Sequence, residues 1–281
     1  MIMDTSVADA AAVVALKPVA QAKSRLGALP DPLRRRLAWT MAIDTLTALA
    51  AVVAEVLVVG DQPALASRLA RAGVDARVVG EAGVPGMNGA LDRGAELLRG
   101  SGYATVLACV GDLPALRPAT VRAVLAAAPQ PGRAFLPDAS GVGTTMLVAH
   151  GVGLAPHFQG ASAAAHEASG AVRLDDDRLG TAVPDGRRDV DTVADLAPAV
   201  ALGVGASTRA LLDPATGLLG DHTVVTTTGH HDDAGRPQAI TTAGLRVLLP
   251  PEALADSLRP LRPGQRLHAV LAAGAVRSAW L

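Results

Sequence analysis

Between residues 12 and 202, short apolar runs alternate with longer segments whose apolar positions recur every three or four residues. The runs are 12–16 (AVVAL), 56–59 (VLVV), 76–79, the start of 106–116 (VLACVGDLPAL), 134–136 and 144–149 (TTMLVA). Mostly apolar, and several of them rich in β-branched residues, they read as strands of a buried sheet. The longer segments read as helices. One opens with Asp31 as N-cap and Pro32 at the first helical position; Leu33, Leu37, Met41 and Leu46 mark its apolar face and Arg34, Arg35 and Arg36 its solvated side. Others cover 63–72, stopped by Gly73, then Asn88 to Leu98, 118–128, a short stretch from Ser162, and a last one over 194–202, which Gly203 stops. Such alternation predicts an α/β fold, a doubly wound and mostly parallel sheet with right-handed crossovers.

Beyond Asp213-Pro214 the pattern shortens to alternating runs separated by turns, over 223–228, 238–242, 245–249, 266–271 and 276–281. Five short strands at this spacing predict a small all-β barrel, so the chain divides into residues 1–213 and an appendage over 214–281. His230-His231-Asp232-Asp233 falls between two of these strands and reads as a polar hairpin loop, because adjacent residues before a turn rarely converge on one metal ion.

Composition narrows the function classes. Of 281 residues, 50% are hydrophobic and 18% charged, enough for a full-sized core. A formal net charge of -1 gives no global reason to expect nucleic acid or an anionic membrane as partner. No apolar run reaches the roughly eighteen residues of a spanning helix, and no signal-peptide pattern is found. The single cysteine, Cys109, sits inside an apolar run, which excludes an intramolecular disulfide and fits a cytoplasmic protein.

Candidate chemistry collects where parallel strands end, because ligands of open α/β sheets bind outside the strands' carboxyl ends. Asp112 follows the central run, and Pro114 keeps Leu113 extended, so the chain cannot pass directly into a helix. Lys17, Lys23 and Arg25 fill the loop after the first strand; with no glycine before Gly27, side-chain charge would meet a phosphate there, or the loop is simply solvated. Asp189 and Asp191 lie in RDVDT, read as the end of a short strand, whereas Asp175-Asp176-Asp177 reads as an exposed acidic loop. Cations suit a triphosphate, and a few carboxylates with phosphate oxygens complete the octahedral shell that Mg²⁺ prefers, which is equipment for nucleotidyl transfer. Asn88 is either an N-cap or a ligand contact. Phe158-Gln159-Gly160-Ala161-Ser162, beyond the flexible Gly141-Val142-Gly143, offers either an anion site at a helix start or an ordinary Ser N-cap. No GxGxxG follows the first strand, which disfavours a dinucleotide-binding dehydrogenase.

Five motifs in order, LKPVAQAKSRL, GMNGAL, GDLPAL, GVGTT and DVDTVADL, resemble the guanylyltransferases of coenzyme F420 biosynthesis, over roughly residues 11 to 212. These belong to the molybdopterin-guanylyltransferase-like nucleotidyltransferases, with a glycosyltransferase-A-like fold. The resemblance implies GMP transfer from GTP to phosphoenolpyruvate, or to 2-phospho-L-lactate or another phosphorylated three-carbon acid, with release of pyrophosphate. It implies Mg²⁺ on Asp112 and on Asp189, with Asp191 a second candidate. Lys17, Lys23 and Arg25 would meet the triphosphate, and Asn88 and Gly89 would lie near the nucleoside. Thr144, Gln159, Gly160 and Ser162 would form the acceptor site, where Gln159 replaces the family's usual glycine. The nucleophile would be a substrate phosphate oxygen already ionised at pH 7, so no general base is required. The family also implies a homodimer. A molybdopterin-type start, GGxSxRMG, is absent. The tail resembles a cold-shock-type OB domain, yet carries a single aromatic, Trp280, so the base-stacking platform of a nucleic-acid binder is missing and a stabilising or protein-contact role is preferred over RNA binding.

Overall fold

The computed structural model of the chain describes residues 9–16, 31–84, 86–212, 221–254, 260–272 and 274–280. These fall into two compact units: 9–16 with 38–205, and 31–37 with 206–280. Lys17, Lys23 and Arg25 lie outside the described residues.

The first unit is built on a seven-stranded sheet of order β3-β2-β1-β4-β6-β5-β7. Its strands are β1 (Ala10–Ala15), β2 (Glu55–Val59), β3 (Arg77–Val79), β4 (Thr105–Cys109), β5 (Gly132–Pro137), β6 (Thr144–His150) and β7 (Val172–Arg173). Pairing is parallel except around β6, which runs antiparallel to both β4 and β5. The apolar runs are explained by burial on both faces. Ala12, Val14, Val58, Leu107 and Cys109 join one core with Ile43 and Leu46 of helix α1 (Asp31–Ala50), while Val13, Leu57, Val59 and Ala108 join another with Leu91 and Ala95. The latter pair belong to α3 (Gly86–Gly100); α2 (Leu65–Arg71) and α4 (Pro118–Ala127) complete the larger crossovers. Alternate residues of one strand thus feed opposite layers, as the pleat requires. Leu33, Leu37, Met41 and Leu46 are all buried as their spacing predicts, whereas only Arg36 of the adjacent arginines is exposed and Arg34 and Arg35 are half-buried.

Past β6 the local pattern is a poorer guide. A short α5 (Ser162–Ala168) is present, but the acidic run is not a loop: Asp175 caps α6 (Asp176–Leu179) by accepting a hydrogen bond from the Arg178 N–H at 2.8 Å, and Asp176 pairs with Arg187 at 2.9 Å. Nor do residues 188–192 end a strand. They are irregular, preceded by α7 (Pro184–Arg187) and followed by α8 (Val193–Leu202). Gly203, at φ +89°, stops α8 as expected, but α8 is not the last helix, because α9 (Ala206–Leu212) follows.

The second unit carries a five-stranded antiparallel sheet of order β10-β9-β8-β11-β12, from β8 (Asp221–His231), β9 (Pro237–Thr241), β10 (Arg246–Leu248), β11 (Arg266–Ala272) and β12 (Ala275–Trp280). A parallel bridge between Leu254 and Ala279 brings the segment after β10 against β12, so the sheet is a nearly closed small barrel. Val225, Ala239, Val247, Leu267, Ala269 and Val276 fill it. His230 and His231 are exposed at the hairpin, whose turn Asp232 organises by accepting from the Arg236 N–H and Nε, both at 2.7 Å.

Candidate active site

Strand β4 delivers Asp112 to the sheet edge through Val110 and Gly111. The loop packs tightly: a Cβ on Gly111 would lie 2.8 Å from Leu16 Cδ2, beyond the end of neighbouring β1. Its far side is held by Thr45 of α1. The fully buried Thr45 hydroxyl accepts the Leu113 N–H at 3.1 Å and donates to the Met41 carbonyl at 2.9 Å. The irregular 189–191 segment is fastened alongside, because the Val190 N–H donates to the Asp112 carbonyl at 3.1 Å. Consequently Asp112, Asp189 and Asp191, all half-buried, each offer a carboxylate oxygen, and these oxygens lie within 4.8 Å of one another.

Neighbouring carboxylates have other work. Buried Asp185 accepts the Arg117 N–H at 2.9 Å and the Thr120 hydroxyl at 2.7 Å, capping α4 from outside the helix. Asp195 closes a capping box with Thr192 at the start of α8; burial pushes its carboxyl up, but hydrogen bonds from Thr192 outweigh that and hold it below the usual range. The converging trio is different in kind, because three carboxylate oxygens within 4.8 Å of one another are a spacing that one divalent cation can bridge. An all-oxygen donor set of carboxylates is that of a hard ion such as Mg²⁺ or Mn²⁺ rather than zinc. Cys109 offers no competing ligand: burial, then the charge of Asp112, pushes its thiol pKa well up.

Antiparallel β6 brings its N-terminal end to this same edge, with the Val110 N–H donating to the Thr145 carbonyl at 3.0 Å. Thr144 therefore starts on the carboxylate side of the sheet. The Gly141–Gly143 turn before it is not loose: Asp138 accepts from the Ser140 hydroxyl at 2.8 Å and the Val142 N–H at 3.0 Å, and the Val142 carbonyl accepts the Ala163 N–H at 3.0 Å. Ser162 is the first residue of α5 and not its cap; that position is Ala161, which makes no side-chain capping bond. Asn88 is the third residue of α3 and likewise not an N-cap. Its side-chain amide grips Phe158 on both sides, donating to the carbonyl at 3.0 Å and accepting the N–H at 2.8 Å. The next two residues, Gln159 and Gly160, turn through the left-handed region at φ +85° and +60°. A glutamine there is strained, and the Asn88 clamp beside it holds the turn.

Sequence reasoning missed His166. It is fully buried behind Thr144, its Nδ1 at 3.0 Å from the Thr144 hydroxyl and its Nε2 accepting the His157 N–H at 2.9 Å, with Phe158 packed edge-on at 5.3 Å. Burial, reinforced by His157, pushes its pKa down to about 4. The sequence trace is a histidine beside Glu167 in a short alanine-rich helix, too weak a signal to assign.

A family model described as the MobA-like NTP transferase domain matches residues 24–182. The phosphoenolpyruvate guanylyltransferase of Salinispora arenicola is 48% identical over 205 residues, covering 71% of this chain and 91% of the relative. That of Streptomyces coelicolor is 49% identical over 204 residues, covering 71% and 93%. Among solved structures, a putative nucleotide-diphospho-sugar transferase from Desulfovibrio desulfuricans shares the fold with a TM-score of 0.51 at 15% identity, covering 67% of this chain and 85% of that one. With identity near one half across nine-tenths of those relatives, and with the acidic edge in place, this chain belongs to the phosphoenolpyruvate guanylyltransferase family of MobA-like nucleotidyltransferases.

Proposed function

We propose that this enzyme transfers GMP from GTP to phosphoenolpyruvate and releases pyrophosphate. The observation that carries the reading is the convergence of Asp112, Asp189 and Asp191 at the edge to which antiparallel β6 delivers Thr144. The names borne by relatives of this identity supply the substrates. Asp112, Asp189 and Asp191 would hold Mg²⁺, which when bound supplies charge neutralisation for the α-phosphate and the departing pyrophosphate.

The chain's own residues do the rest by positioning. Thr45 and the Val190–Asp112 backbone bond fix the carboxylates before substrate arrives, so little reorganisation is needed during reaction. Asn88 fixes the Phe158–Gly160 turn, and Thr144, Gln159, Gly160 and Ser162 are the acceptor side. Lys17, Lys23 and Arg25, with Asn88 and Gly89, complete the nucleotide side of the reading. A phosphate oxygen of phosphoenolpyruvate, already ionised, attacks the α-phosphorus of GTP, and the bond to the β-phosphate oxygen breaks. His166 does not act as a base, since both ring nitrogens are engaged. Catalysis belongs to 1–213 in this reading, with 214–281 as an appendage, and the family resemblance adds coenzyme F420 biosynthesis, a cytoplasmic setting and a homodimer. No helix among the described residues is long and apolar enough to cross a membrane.

Pyrophosphate release from GTP and Mg²⁺, with phosphoenolpyruvate, 2-phospho-L-lactate and 3-phosphoglycerate offered separately and ATP as nucleotide control, tests the reading. Release with GTP and phosphoenolpyruvate alone is expected. Preference for another acid overturns the acceptor, and silence with all three overturns the activity.

A further inference from the structure

Thr144 carries the one hydroxyl at the acceptor end of β6 whose polarity a second side chain dictates. A neutral imidazole has a single N–H. Because the His157 backbone N–H donates to His166 Nε2 at 2.9 Å, that nitrogen bears a lone pair and the ring proton sits on Nδ1. Nδ1 lies 3.0 Å from the Thr144 oxygen, so the ring donates and the hydroxyl accepts. Thr144 is buried, and its own hydrogen is thereby turned away from His166.

We infer that His166 is a positioning residue that turns the Thr144 hydroxyl hydrogen toward an anionic oxygen of the phosphorylated acid substrate. The inference rests on the proposed function and adds to it a residue and a direction of hydrogen bonding. A hydroxyl free to rotate could accept from an alcohol as readily as donate to an anion; one that already accepts from an imidazole N–H has its O–H aimed away from the ring, where it can donate to the anion. The ring is locked for this task by more than its hydrogen bonds. Phe135 and Phe158 pack against it with ring centroids 5.5 and 5.3 Å away, and burial keeps it neutral well below physiological pH. The same His157 amide that fixes the tautomer immediately precedes Phe158, which Asn88 grips, so ring proton and acceptor turn are set by one short stretch of backbone.

The test combines ¹⁵N NMR of the wild-type histidines with kinetics of His166→Phe, His166→Asn and Thr144→Val. NMR should report His166 protonated on Nδ1 and bare on Nε2 at pH 7; the opposite tautomer overturns the inference whatever the enzyme's substrates prove to be. His166→Phe and Thr144→Val should each raise KM for the acid about ten- to a hundredfold, the cost of one hydrogen bond to a charged group, leaving KM for GTP within about twofold. The double variant should be no worse than the worse single one, because both remove the same bond. His166→Asn, which can present an N–H near the Nδ1 position, should recover part of the loss. Additive effects, or equal losses toward GTP and acid with no recovery by asparagine, would mean a purely structural histidine. Wild-type protein inactive with every acid would instead defeat the proposed function, while the NMR result would still decide the tautomer.

Discussion

Replacing Thr45 by valine removes one oxygen and keeps the shape. Thr45 is fully buried, and its hydroxyl is the acceptor of the Leu113 N–H, itself fully buried one residue beyond Asp112. Valine fills the space, so no cavity opens. The Met41 carbonyl loses only an extra donor, as its helical N–H partner remains. What is left is a buried amide with no acceptor, a penalty of about 1–3 kcal/mol. For a domain of this size that corresponds to a fall in Tm of roughly 5 °C. The same loss frees the loop that aims Asp112, so Mg²⁺ affinity should weaken together with stability. Thr45→Ser keeps the oxygen and gives up a buried methyl, costing about 1 kcal/mol of stability without weakening metal binding. Denaturant unfolding paired with calorimetric Mg²⁺ or Mn²⁺ titration reads both quantities. If Thr45→Val is within about 0.5 kcal/mol of wild type and binds metal equally well, the hydrogen bond does not organise the loop as argued here.

Other substitutions separate roles among the carboxylates. Asp112→Asn should lower turnover by about a hundredfold or more while leaving the fold intact, since it removes a charged oxygen from the candidate metal site and keeps the side chain's shape; retained turnover would contradict the metal assignment. Asp185→Ala should do the reverse, costing about 2–4 kcal/mol of stability because the Arg117 N–H and Thr120 hydroxyl lose their acceptor, with any kinetic effect secondary. Acid should destabilise the protein through His166. Its pKa is depressed to about 4 in the fold, so on acidification the unfolded chain binds the proton first; the contribution is complete above about pH 6.5 and fades toward pH 4, about 3 kcal/mol in all. Unfolding midpoints at pH 7, 5.5 and 4 should show this slope in wild type and a shallower one in His166→Phe.

Much of the first unit was legible because burial on both faces of a parallel sheet writes continuous apolar runs, and Asp112 stands out at the end of one. What the pattern did not encode was direction. Nothing in TTMLVA distinguishes an antiparallel β6 from a parallel one, yet that reversal is what brings Thr144 to the carboxylate edge. Local rules also misread residues whose partners are remote. Asn88 passes for a cap in its own helix, but its amide is spent on Phe158, seventy positions later. Residues 189–191 look like a strand end because two aspartates flank a valine, whereas one backbone bond to Asp112 and a capping box after them hold the segment without any ladder. His166 left only the weak trace of one histidine in a short helix, because its importance lies in two hydrogen bonds and its burial.

The most direct measurement follows oxygen. Phosphoenolpyruvate labelled with ¹⁸O in its phosphate is incubated with GTP, Mg²⁺ and the full-length enzyme, and the products are weighed by mass spectrometry. Attack of the acid's phosphate on the α-phosphorus predicts a guanosine diphosphate ester of enolpyruvate that keeps every labelled oxygen, together with unlabelled pyrophosphate. Label in the pyrophosphate, or GMP carrying solvent oxygen with phosphoenolpyruvate untouched, would contradict the account.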